Sequence, residues 1–198
     1  MEKRKINFYL LRHGETDWNR SNLIQGNQDI FLNENGLRQA KKIAEFLKNT
    51  KIDRVFSSKL NRAYQTGKII ADSKNIVVEK VDGLQEISFG EEEGGSKLEL
   101  RKKYGNEFYE EFFHSAGHMD FLFKNGESKR SAGERFSAAV FNILNAAEYA
   151  DLLIISHGFV IPMFFILNGL PFPGALKNCG LIGASYENGA IKNIRILN

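Results

Sequence analysis

Apolar positions along the chain fall into two kinds of run. Phe8-Tyr9-Leu10-Leu11 and Leu152-Leu153-Ile154-Ile155 are unbroken, which predicts strands buried on both faces of a parallel sheet. Between them, Leu37, Ala40, Ile43, Ala44 and Leu47 recur at helical spacing behind Asn33-Glu34-Asn35-Gly36, and Asn49 and Lys51 end that helix. Ile52-Asp53-Arg54-Val55-Phe56 reads as a short strand, Ser57-Ser58 as a cap, and Leu60 to Ala71 as the next helix. Ile76-Val77-Val78 with Val81 predicts a further strand, and glycine- and acid-rich Asp82 to Gly95 a loop.

From Ser96 to Ser131 the pattern turns irregular. Leu98–Tyr104 and Glu107–Phe113 look helical, but Phe108, Phe112, Phe113, Phe121 and Phe123 crowd together, so the segment at about 91–131 reads as a cap-like insertion packed over one end of the sheet. Gly133-Glu134 opens a helix through Phe136, Val140, Ile143 and Leu144. After the second apolar run, Ser156-His157-Gly158 is a turn, and a helix follows to Leu167. Leu181–Tyr186 and Ile191–Ile196, joined by Asn188-Gly189, predict a terminal hairpin. Strand and helix alternate for most of the chain, so the fold class is α/β: a three-layer α/β/α sandwich with a mostly parallel central sheet and a helical insertion.

Composition bounds this picture. A chain of 198 residues that is 42% hydrophobic suits one domain over 1–198 with a full core. A single cysteine, Cys179, excludes an internal disulfide framework and fits a reducing, cytoplasmic compartment. Met1 to Lys5 is polar and leads straight into the first strand without the apolar core of a signal peptide. No apolar run approaches the roughly 18 residues of a membrane helix. Net charge is +3 with lysines scattered among acids, which leaves no nucleic-acid footprint and only a weak attraction for small anions. A monomer and a homodimer remain equally open.

Candidate chemistry gathers at the strand ends, where an open α/β sheet binds ligands. Leu11-Arg12-His13-Gly14 follows the first strand. Arg12 offers a planar fork suited to phosphate, His13 titrates near neutrality and can act as a nucleophile, and Gly14 lets the backbone turn sharply. Thr16 or Asp17 could cap a short helix aimed at the same spot. His157 follows its strand as His13 does, as a second site residue or as a capping histidine. Arg62, at a helix start one turn past Ser58, is either an anion ligand or a surface arginine. Glu86, isolated among apolar neighbours, becomes a usable general acid if burial raises its pKa, and is otherwise a solvated loop acid. Glu134 could serve a helix dipole or act as a second acid; His114 and His118 match no motif.

Together these segments resemble the histidine phosphatase superfamily, the family of phosphoglycerate mutases and related phosphatases. The resemblance rests on Leu11-Arg12-His13-Gly14-Glu15-Thr16 with Asn19, on Gln25-Gly26 at the substrate loop, on Ser57-Ser58-Lys59-Leu60-Asn61-Arg62-Ala63-Tyr64-Gln65-Thr66, on Leu84-Gln85-Glu86-Ile87-Ser88-Phe89-Gly90, and on Ser156-His157-Gly158. It departs at Arg135, where Ser or Thr is usual, and at Glu92, where an aromatic is common in the phosphatase branch. What it implies is two-step phosphoryl transfer. His13 attacks phosphorus and forms a phosphohistidine that water hydrolyses; Arg12, Arg62, His157 and Asn19 surround the phosphoryl oxygens, Gln25 and Gly26 line the substrate loop, and Glu86 handles the leaving-group proton. Such a clamp needs no metal and no cofactor. The implied activity is a phosphomonoesterase acting on a small phosphorylated metabolite. A phosphoglycerate mutase is the alternative, although mutases of the family carry Arg-His-Tyr-Gly after the acid, where Ile87-Ser88-Phe89-Gly90 stands here. A third reading, a non-catalytic phospholigand-binding module, would need neither nucleophile nor acid. The phenylalanines of the insertion either form a satellite core or line the pocket; in the second case an apolar or ring-bearing leaving group is favoured, with only Lys124, Lys129 and Arg130 nearby in sequence for a second anion.

Overall fold

The computed structural model describes residues 5–148, 150–172, 174 and 176–198, so that of the polar start Met1–Lys5 only Lys5 is included. Its elements run β1 (Ile6–Arg12), α1 (Asp17–Arg20), α2 (Glu34–Phe46), β2 (Arg54–Ser57), α3 (Asn61–Asp72), β3 (Val78–Lys80), a 3-10 turn (Gly90–Glu92), α4 (Lys97–Tyr104), α5 (Asn106–His114), α6 (Lys129–Ala146), β4 (Asp151–Ser156), α7 (Val160–Leu167), β5 (Leu181–Glu187) and β6 (Ala190–Ile196). The strands form one sheet in the order β3-β2-β4-β1-β5-β6. The first four are parallel; β5 runs antiparallel to β1 and β6 to β5.

The unbroken apolar runs of β1 and β4 are explained by the layers. Phe8, Leu10, Leu152 and Ile154 face a core shared with Phe136 and Val140 of α6 and Phe164 of α7. Leu11, Leu153 and Ile155 face the opposite core, with Ile43 and Ala44 of α2 and Ala63 and Ile70 of α3. A strand covered on both sides has no polar face to display. Among the described residues no helix is long and apolar enough to cross a membrane.

Several boundaries differ from the sequence reading. β2 begins at Arg54 rather than Ile52, and β3 covers Val78–Lys80 rather than Ile76–Val78. α6 begins at Lys129, a turn before Gly133, because Ser128 accepts the Ser131 N–H and supplies the cap. The segment after Ser96 is more regular than its pattern suggests: a capping box between Ser96 and Glu99 starts α4, and Gly105, at φ 91, turns the chain into α5.

The cap segment is joined to the main core by rings. Phe89 lies parallel to Phe113 with centroids 5.8 Å apart and meets Phe159 edge-on at 5.7 Å, while Phe112 and Phe123 are buried beside them. Lys129, the first residue of α6, is also fully buried. Its Nζ donates to the carbonyls of Phe112 (2.9 Å) and Ser115 (3.0 Å) and lies 5.0 Å from the Phe112 ring. No acidic side chain pairs with it among the described residues, and burial pushes its pKa from 10.5 down to about 8.

The sign of the resulting pH dependence follows from linkage. Below the folded pKa of about 8, the lysine is charged in both states and its desolvation penalty is fully felt; between there and 10.5, the unfolded chain holds a proton that the folded chain has released, so stability rises with pH. Urea titrations of the wild type and Lys129→Met should therefore diverge in favour of the wild type as pH rises through that window. Parallel curves would show that Lys129 does not titrate there.

Candidate active site

The site begins with strand register. β1 and β4 are neighbours with Arg12 opposite Ser156, so His13 and His157, one residue further on, emerge side by side. The His13 N–H donates to the Ser156 carbonyl at 3.0 Å, and the imidazole centroids are 5.2 Å apart. β2 pairs with β4 on the far side, and the Ser58 N–H donates to the Ile155 carbonyl, which brings Ser58 to the same edge. The Ser58 hydroxyl is 2.8 Å from His157 Nε2, leaving His157 Nδ1 buried without a partner.

His13 is held in one tautomer. Its Nδ1 lies 2.7 Å from the Gly14 carbonyl, which can only accept, so Nδ1 carries the proton and Nε2 the lone pair. Burial, then the charges of Arg62 and Arg12, hold its pKa well below 6.5; the same burial and Arg62 act on His157. Both rings are therefore neutral at pH 7.

Arg62, on the first turn of α3, is fully buried, which excludes the surface reading. Its terminal nitrogens donate to the carbonyls of Gln28 and Gly26, each at 2.6 Å, and its Nε is unpartnered. Burial lowers its pKa to about 10, which leaves it cationic at neutral pH. Arg12 donates to the Leu176 carbonyl at 2.7 Å, and its Nε too is buried without a partner. Two guanidiniums whose charges act on His13, and the adjacent His157 ring, thus each keep one buried nitrogen without a partner.

Glu86 is buried, and not a solvated loop acid. Its Oε1 accepts from the N–H groups of Ile87 and Val160, both at 3.1 Å, and its Oε2 from Phe159 at 3.0 Å, which places it at the N-terminus of α7. Burial raises its pKa more than Arg62 and these N–H groups lower it.

Asn19, Gln25 and Gly26 are brought to the same place. Thr16 caps α1 and reaches Gln25 Oε1 at 3.0 Å, and Asn19 Oδ1 accepts from Asn178 Nδ2 at 3.2 Å. Gly26, at φ 48, lies so close to Glu93 that an added Cβ would fall 2.0 Å from its Oε1. Asn178, which also donates to the His13 carbonyl at 3.1 Å, escaped the sequence reading, having no periodicity or motif to mark it.

Arg12, His13, Asn19, Gln25, Gly26, Arg62 and Glu86 line a cavity of about 560 Å³; His157, fully buried next to His13, is not among its lining residues. Its outer wall is apolar and includes Phe89, Tyr109, Phe113, Phe159, Met163 and Phe172. Of the five crowded phenylalanines only Phe113 lines it, and Phe112 and Phe123 belong to the core. The three cations expected near a second anion are occupied elsewhere: Lys124 pairs with Glu91, Arg130 with Asp120, and Lys129 is buried. Lys97 takes that place. It lines the cavity, and its pKa is lowered by burial and by Arg12 and raised by Glu86. His114 lines the mouth, whereas His118 pairs with Glu111 at 2.9 Å. Glu134 is exposed and away from the cavity, and is neither a second acid nor in the first turn of α6. Glu92 pairs with Lys103 at 2.6 Å and Tyr104 at 2.8 Å, outside the cavity lining.

A neutral histidine thus sits with a fully buried guanidinium, a part-buried one and a buried carboxyl at one edge of the sheet. The sequence model of the Histidine phosphatase superfamily (branch 1) matches residues 8–195. The chain is 32% identical over 191 residues to the probable phosphoglycerate mutase GpmB of Proteus mirabilis, covering 92% of this chain and 86% of that one. It superposes on Bacillus stearothermophilus YhfR with a TM-score of 0.85 at 25% identity, with 96% of each chain covered. It is likewise similar to a mutant phosphoserine phosphatase from Entamoeba histolytica in complex with phosphoserine: TM-score 0.79, 27% identity, 98% of this chain and 95% of that one. The chain belongs to the histidine phosphatase superfamily, a family of phosphoryl-transfer enzymes.

Gly158 lies directly against the Arg12 side chain. A Cβ there would lie 2.8 Å from Arg12 Nε and 2.9 Å from its Cζ. Gly158→Ala should displace the guanidinium and lower kcat/KM by about a hundredfold, with the thermal unfolding midpoint near that of the wild type. Unchanged activity would show that Arg12 does not need its present position.

Proposed function

We propose that the protein is a phosphomonoesterase acting on small organic phosphate monoesters through a phosphohistidine at His13. The observation that carries this reading is the His13 tautomer: with Nδ1–H on the Gly14 carbonyl, the lone pair is on Nε2, in a ring that lines the cavity and feels the charges of Arg62 and Arg12. In the first step Nε2 bonds to phosphorus, the bond to the ester oxygen breaks, and Glu86 gives its proton to the leaving alkoxide. In the second, the Glu86 carboxylate takes a proton from water, whose oxygen attacks phosphorus and releases His13 and inorganic phosphate. The raised pKa of Glu86 favours the acid form for the first step, and the N–H groups at the start of α7 stabilise the carboxylate needed for the second.

His13→Ala should lose about three orders of magnitude or more in turnover, and phosphate should be found on His13 after rapid quenching and basic work-up. Label on another residue would overturn the assignment. Glu86→Gln should depress kcat/KM for alkyl phosphates far more than for p-nitrophenyl phosphate, whose leaving group departs without a proton.

A second reading, phosphoglycerate mutase, is favoured by the 32% identity to GpmB and by Lys97, which could hold a substrate carboxylate. Incubation with 3-phosphoglycerate separates the two: release of inorganic phosphate supports the esterase, and formation of 2-phosphoglycerate without it the mutase. The apolar wall supports a leaving group with a ring or other bulky apolar part. Phe113→Ala should reduce the preference for naphthyl phosphate over 3-phosphoglycerate by about tenfold, and Lys97→Ala should increase it. If neither ratio moves, the outer cavity does not contact the leaving group.

A further inference from the structure

Arg135, on α6, does not reach the cavity. Its guanidinium lies behind the segment that carries Glu86. Nη1 donates to the carbonyls of Gly83 (2.8 Å) and Gln85 (3.0 Å), and Nη2 to that of Glu86 (3.2 Å). The remaining carbonyl of the run, Leu84, accepts from Ser156 Oγ at 2.8 Å. Four successive carbonyls in a stretch with no helix or strand of its own are thus taken by two side chains, three of them by Arg135. Glu127 fixes the fork in turn, accepting from Nε at 3.0 Å and Nη2 at 2.7 Å, while its own N–H donates to the Ser88 carbonyl at 2.8 Å. The segment also lies directly on α6: a Cβ on Gly83 would be 2.8 Å from Ala139 Cβ.

We infer that Arg135 is a positioning residue for the proton-transfer step, clasping the backbone on both sides of Glu86 so that its carboxyl stays aimed at the leaving-group oxygen. A planar cation with five donors can hold several carbonyls and a carboxylate at once, which a serine hydroxyl or a lysine ammonium cannot. The inference rests on the proposed role of Glu86.

The test uses kcat/KM, which reports the first phosphoryl transfer and not the shared hydrolysis of the phosphoenzyme. Arg135→Ala should lower kcat/KM for an alkyl phosphate such as glycerol phosphate by roughly ten- to a hundredfold more than for p-nitrophenyl phosphate. Arg135→Lys should lie between Arg135→Ala and the wild type. In a Glu86→Gln background the further effect of Arg135→Ala on the alkyl phosphate should shrink to about twofold, since groups acting as a unit are not additive. Equal losses on both substrates, or losses that add in the double variant, would show an ordinary structural arginine and overturn the inference while leaving Glu86 as the acid. If Glu86→Gln itself loses equally on both substrates, the acid role fails and the inference fails with it. Should Arg135→Ala not fold, Arg135→Lys and Glu127→Gln, which frees the fork from its anchor, are put through the same comparison and judged by the same ratios.

Discussion

The constraint on which the site depends is the withdrawal of two guanidiniums from water at one edge of the sheet. Arg62 is wholly removed from water and Arg12 partly so, and charges so placed must find partners inside the protein. Glu86 is the one buried carboxylate that acts on both. Backbone carbonyls supply further acceptors: those of Gly26 and Gln28 to Arg62, and that of Leu176 to Arg12. On each arginine the buried Nε is left without a partner. The same positive field, added to burial, keeps both histidines neutral, so one arrangement supplies an anion site and a histidine lone pair.

Glu86 is held by the backbone on both sides. Its oxygens meet the N–H groups that open α7, a helix apolar along most of its length and so able to offer little but its terminus to the site. Behind it, the carbonyls of its own segment are bound by Arg135 and Ser156. The cap segment is fastened close by. Phe89 follows Glu86 by three residues and Phe159 follows His157 by two, and both rings pack on the cap's phenylalanines. Packing of the cap and placement of the site are therefore mechanically connected, and Lys129 ties the end of α5 to the start of α6 next to that joint.

Much of this was legible in the sequence because it is local. The apolar runs of β1 and β4 announced doubly covered strands, and the residues following each announced a strand-end site: His13 and His157 carry the same signal, a histidine and a glycine after a buried run. Asn33 caps α2 where the sequence started that helix, and of Thr16 and Asp17, both open in the sequence, Thr16 is the cap of α1. The boundaries of β2, β3 and α6 were misplaced because edge pairing and a serine cap, not hydrophobic periodicity, decide where they begin. Arg62 and Glu86 could be read two ways because burial is not a property of a residue's neighbours in the chain.

By itself, then, the sequence determined the alternation of elements, the class of fold and the residue types at the strand ends, since those follow from periodicity and from side-chain chemistry. Only the tertiary structure decided which distant groups meet. It set Lys97 in the cavity in place of Lys124, Lys129 and Arg130, put Phe113 on the wall and Phe112 in the core, and brought Arg135 onto the carbonyls of the segment that carries Glu86. The physical reason is that desolvation and Coulomb interaction depend on distances across the fold, and residues as far apart as Glu86 and Val160 acquire their chemistry only when packing places them within hydrogen-bonding distance.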